Sequence, residues 1–180
     1  DLIALPDRKH WLALDDAKHE VILLRFMSDR INVEARMRVA PFPVRAVIDP
    51  QKKLIVVASL WARQLTVLSY NLEQQERAND RIKLLDSIDL PFAPREMLAL
   101  NEKRKIIVAD AFGGQLAVVD LRQRKVEHVH SIPAHNIGGL ELDADGKSVL
   151  MPHQILNSLA RTTANDVHWG LLMTNTIRVL

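Results

Sequence analysis

Asn101-Glu102-Lys103-Arg104-Lys105 leads into Ile106-Ile107-Val108-Ala109-Asp110, and after Gly113-Gly114 the chain continues as Gln115-Leu116-Ala117-Val118-Val119-Asp120-Leu121. A polar turn, a continuous apolar run and a second valine-rich run describe two short neighbouring strands. The same order recurs on either side. Pro6-Asp7-Arg8-Lys9-His10 leads into Trp11-Leu12-Ala13-Leu14, and Asp49-Pro50-Gln51-Lys52-Lys53 into Leu54-Ile55-Val56-Val57. Asp143-Ala144-Asp145-Gly146-Lys147 leads into Ser148-Val149-Leu150-Met151. The apolar runs begin at Trp11, Leu54, Ile106 and Val149, giving steps of 43, 52 and 43 residues. A period of about 40–45 residues made of short strands is the signature of a four-stranded propeller blade.

Each unit fills in strand by strand. In the second, Arg45–Ile48 is the inner strand, Leu54–Ala58 the next, Leu65–Tyr70 the third and Ile82–Ile88 the fourth. In the third unit the same places fall to Glu96–Leu100, Ile106–Ala109, Leu116–Leu121 and Val126–Ile132. Second strands that are apolar throughout fit strands covered on both faces. Ile31–Val39 alternates strictly, which predicts five apolar side chains on one face of an outer strand. Asn71–Asp80 is polar and lengthens one surface loop. Val56, Val57, Val108, Val118, Leu140 and Leu150 are the expected core. The fold class is therefore all-β: a β-propeller of about four four-stranded antiparallel blades, expected to be part of a seven- or eight-bladed ring. One partial domain spans residues 1–180, with blades at about 2–42, 43–92, 93–135 and 136–180. The last blade is interrupted at about 155–170, and Asn157–Trp169 is expected to cover a channel mouth or a neighbouring blade.

With 48% hydrophobic residues the chain can bury a core, and a formal charge of +2 argues against nucleic acid or a membrane surface as the main partner. No apolar run approaches the roughly 18 residues of a spanning helix. The absence of cysteine excludes disulfides and covalently attached haem within these residues. An opening at Asp1 and an interrupted last unit lead us to expect a fragment.

The third unit, Ile106–Asp110 with Gly113–Leu121, and the Asp143–Lys147 turn resemble the YVTN-type β-propeller repeat family. His153–Asn157 through Asp166–Gly170 is similar to a segment of large secreted bacterial proteins of planctomycete type. In those a propeller precedes cytochrome c peroxidase-like domains. That resemblance implies an extracytoplasmic (periplasmic or secreted) location and haem c in a C-terminal region outside this chain.

Candidate chemistry is sparse. His128 and His130 share one strand face, and the wet side of an outer strand explains them better than a metal site. Pro43-Val44-Arg45, Pro94-Arg95 and His135-Asn136 fall where one blade passes to the next, so Arg45, Arg95 and His135 are candidates to meet near a channel mouth. Solvated turn residues are the competing explanation. His153 and His168, with Asp166, bracket the interruption and form a further candidate binding set, against a capping loop held by Trp169. Asp15, Asp110 and Asp120 sit at strand ends, where carboxylates accept turn hydrogen bonds. No phosphate loop, nucleophile elbow or His-Glu-x-x-His motif is present. The expected function is a non-catalytic scaffold or binding domain that takes a protein or small ligand at a channel mouth. No metal or nucleic acid is expected. The alternative, implied by resemblance, is an accessory domain of a haem electron-transfer protein.

Overall fold

The computed structural model describes residues 1–49, 51–72, 80–100, 104–168 and 170–180. Four antiparallel sheets follow one another along the chain. The first holds β1 (Leu2–Ala4), β2 (His10–Asp15), β3 (Glu20–Phe26) and β4 (Ile31–Arg38). The second holds β5 (Pro43–Asp49), β6 (Leu54–Ser59), β7 (Gln64–Tyr70) and β8 (Ile82–Asp89). The third holds β9 (Pro94–Leu100), β10 (Lys105–Asp110), β11 (Gln115–Asp120) and β12 (Lys125–Ser131). The fourth has three strands: β13 (Glu141–Leu142), β14 (Val149–Leu156) and β15 (Met173–Val179). Strands pair in chain order within every sheet, as in a meander.

The apolar strands dictate how the sheets stack. Along β6, Ile55 and Val57 join Leu12, Leu23 and Leu68 in a core between sheets one and two. Their alternates Val56 and Ala58 join Val108, Ala117 and Val119 in a core between sheets two and three. A third core holds Ala109 and Leu116 against Ile137, Val149 and Met151 of the fourth sheet. Consecutive sheets thus pack face to face, each inner one covered on both sides, which is how propeller blades stack. Val56, Val57, Val108 and Leu140 are buried as expected. Val118 and Leu150 are only half-buried, and their neighbours Val119 and Met151 take the core positions instead.

The expected alternation of Ile31–Val39 is also corrected. Leu23 pairs Ala35 and Leu24 pairs Val33, so Glu34 is an extra residue, a β-bulge. Ala35 and Met37 therefore turn to the core, while Ile31 and Val33 face water. The same bulge recurs at Leu85 in β8 and at Glu127 in β12. Another repeated device is the turn between first and second strands. Arg8, Lys53, Arg104 and Gly146 all adopt positive φ there, at 57°, 52°, 50° and 70°.

The polar stretch at 71–80 lies mostly outside the described residues, as does Trp169. The interruption of the last blade is a long β14–β15 connection carrying the short helix α1 (Ala164–His168). Among the described residues it shows no sign of covering a channel mouth or a neighbouring blade. No residue of α1 is buried and Leu159 is 86% exposed, so this segment projects from the hairpin. No helix among the described residues is long and apolar enough to cross a membrane.

Candidate functional site

Because strands alternate in direction, the turns between second and third strands and the connections between blades emerge at one end of the sheets. Three exposed aromatics gather on that end. Phe42 comes from the first connection, Trp61 from the β6–β7 turn and Phe112 from the β10–β11 turn. Trp61 stacks on Phe112 with centroids 5.7 Å apart and meets Phe42 edge-on at 6.5 Å. His19, from the β2–β3 turn, extends the row, 5.6 Å from Phe42. The rings are 42% (Phe42), 59% (Trp61) and 54% (Phe112) exposed. Sequence reasoning missed this row, although Trp61 and Phe112 fall 51 residues apart in equivalent turns, close to the 52-residue step between their units.

Beside the row lie two clefts, the smaller lined largely by the inner strands β5 and β9 and the larger mostly by the third connection, β14 and β15. Arg45 sits on β5 and Glu96 at the corresponding place on β9, and the two form an ion pair. Asp1 adds a weaker contact to Arg45 at 3.7 Å. Arg45 is thus neutralised and holds adjacent blades together. Arg95 behaves differently. Glu96 pairs Ala109 and Pro94 pairs Asp110, so Arg95 is the extra residue of a bulge. It is exposed, and among the described residues no carboxylate pairs with it. A cleft of about 380 Å³ places it with Arg45 and Phe112. A larger cleft of about 870 Å³ places it with Asn136, His153, Gln154, Asn175 and Thr176.

His135 does not enter either cleft. Its backbone exchanges two hydrogen bonds with Gln154, at 2.7 and 2.8 Å, and its Nδ1 lies 3.3 Å from the Phe112 carbonyl. It is the rivet that fixes the third connection to β14. The set of His153, Asp166 and His168 is not assembled around the larger cleft: only His153 lines it. The Asp166 carboxylate accepts the backbone N–H and hydroxyl of Thr163, each at 2.9 Å, and the N–H of Arg161 at 3.1 Å. The Thr163 hydroxyl in turn accepts from the Asp166 N–H at 3.3 Å, a reciprocal cap on α1. The bonds from Thr163 hold the Asp166 carboxyl below its ordinary range. His128 and His130 stand with ring centroids 6.2 Å apart, and no third ligand joins them among the described residues.

In keeping with the turn reading, Asp110 accepts the Phe112 N–H at 3.0 Å and Asp120 accepts those of Arg122 and Gln123 at 2.6 and 2.8 Å. Backbone donation from Gln123 lowers the Asp120 carboxyl.

No family model matches the chain, and no curated protein matches it in sequence. Solved structures do match its backbone. Hydrazine synthase of Kuenenia stuttgartiensis aligns over 99% of this chain with a TM-score of 0.69 at 12% identity. A protein from Lactobacillus plantarum aligns over all of it, with a TM-score of 0.71 at 12% identity. The Cps50 (Swd1) β-propeller domain of Myceliophteria thermophila aligns over 99%, with a TM-score of 0.61 at 13% identity. The fold is a β-propeller. This propeller chain spans 61%, 57% and 57% of those three structures, and at such identities the likeness concerns the fold alone.

Proposed function

We propose that the chain is a non-catalytic propeller binding domain whose aromatic end face docks a partner protein. The observation that supports this reading is the row Phe42, Trp61 and Phe112. Two blades and a connection each place a large ring in water on one end of the stack, within ring-contact distance of the next. Contiguous exposed apolar surface of this kind marks interaction sites, and Trp is among the residues that dominate interface energetics. The blades supply a rigid base, because the turns carrying the rings are fixed to strands with buried flanks.

The test compares wild type with a Trp61→Ser/Phe112→Ser variant of equal melting temperature in affinity capture from cells that encode the protein. Specific partners held by wild type and lost by the variant support the reading. Identical capture by both, or no capture by wild type, overturns it.

A further inference from the structure

We propose that the outer edge of β15 captures an extended peptide of a partner protein, as a fourth strand whose alternate side chains are apolar and acidic. In the first three blades the third strand carries an outer strand paired antiparallel to it, whereas β15 ends its sheet. Leu180 and Val149 exchange two backbone hydrogen bonds, each at 3.0 Å, and the ladder runs without a shift to Leu156 and Met173. Bonding alternates along an antiparallel pair. Thr174, Thr176 and Arg178 therefore also bond to β14, while Met173, Asn175, Ile177 and Val179 point their N–H and C=O groups outward. Such a row is a template for one more strand.

The edge is also unguarded. Outer strands β4, β8 and β12 each carry a bulge, at Glu34, Leu85 and Glu127, a device that twists an edge away from further pairing. β15 runs for seven residues with no bulge and no Pro, Gly or Lys.

The surroundings set the chemistry of the peptide. Arg178 lies opposite Met151, which packs into the third core, so Arg178, Thr176 and Thr174 face blade three. On β12, His130 pairs Leu116 of that same core and His128 pairs Val118, so both imidazoles face blade four. Both are exposed, with no outer strand of blade four opposite them among the described residues. β15 holds no carboxylate, and Glu127 of β12 is engaged by Lys105. A guanidinium and two imidazoles favour acidic side chains on the side of the peptide that faces blade three. On the other side Met173, Ile177 and Val179 are exposed, the last two opposite Pro152 and Leu150, which favours apolar cross-strand partners.

The probe is a labelled peptide of alternating valine and glutamate, as long as β15, titrated by fluorescence anisotropy. We expect saturable binding, at least about tenfold weaker for the valine–lysine counterpart and lost when the peptide amides facing β15 are methylated. Arg178→Gln is expected to weaken the glutamate peptide by about tenfold without moving the melting temperature. In wild type, hydrogen exchange is expected to slow on binding at the amides of Met173, Asn175, Ile177 and Val179 and to stay unchanged at Thr174 and Thr176. No saturable binding, equal binding of the methylated peptide, or unchanged exchange at the four outward amides overturns the proposal. Slow exchange there before peptide is added would show the edge filled by the polypeptide itself, or by a second copy where the slowing grows with protein concentration, and overturns it equally.

Discussion

Nε2 of His10 lies 3.0 Å from Oε2 of Glu34, and Arg81 of the next blade donates to the same oxygen at 2.7 Å. The other ring nitrogen of His10 meets Asp7. His10, Glu34 and Arg81 are all nearly buried. The bulge delivers Glu34 into this network and so ties blade one to blade two. At the equivalent positions of the third blade, Lys105 and Glu127 form an ion pair. In the second blade these positions are Leu54 and Leu85.

Removing one partner of a buried charge network leaves the others unpaired. Glu34→Gln is therefore expected to lower unfolding free energy by about 3 kcal/mol, measured by urea denaturation. A loss within error would show that the network is solvated and contributes little.

The Asp7 carboxyl is pushed up by burial, but hydrogen bonds from His10 and the Lys9 amide more than offset this, and it sits below its ordinary value. A carboxyl lowered on folding adds stability above its unfolded value, about 3.9, and loses it as the pH falls through the folded value. Asp7→Asn is expected to flatten the fall in melting temperature below about pH 4. Parallel curves for wild type and variant would contradict this.

Gly114 has no room for a side chain. A Cβ there would lie 2.0 Å from the Ile132 carbonyl oxygen and 2.9 Å from the Ala134 nitrogen. Both contacts are backbone, so relief requires moving the third connection. Gly114→Ala is expected to destabilise by about 1–3 kcal/mol. It should also disturb amide signals of His135 and Asn136 in solution spectra, while an unmoved connection would refute the close approach.

Register in the fourth blade is checked by a pair of truncations. Met151 is fully buried and Leu150 is not. Met151→Ala is expected to cost about 2–5 kcal/mol and Leu150→Ala clearly less. The reverse order in denaturant midpoints would place the strand one residue out.

Much of this fold was legible because burial on both faces forces continuous apolar runs, and those runs recur with a turn before each. What alternation could not reveal was the extra residue in an outer strand. Glu34 reads as the polar side of Ile31–Val39 until pairing with β3 shows that it is skipped. The site was legible only in part. Arg95 and His153 stood out by residue type, and the structure brings both to one cleft. Arg45 shared that signal but is consumed by Glu96, fifty-one positions away, a pairing no local pattern encodes. Asp166 stood among the candidate binding residues and instead caps a one-turn helix. Phe42, Trp61 and Phe112 come together only because blades stack.

The bulge at Glu34 also fixes the parity of its strand. Every other residue of β4 that pairs with β3 counts toward which side faces water, and deleting one would invert part of the strand. Glu34 does not count. Its loss would close the ladder to regular pairing and leave Ala35 and Met37 inward, Ile31 and Val33 outward. The outer strand thus contains one position where a residue can enter or leave the chain without turning its neighbours over, and in blade one that freely counted position holds the charge that joins two blades.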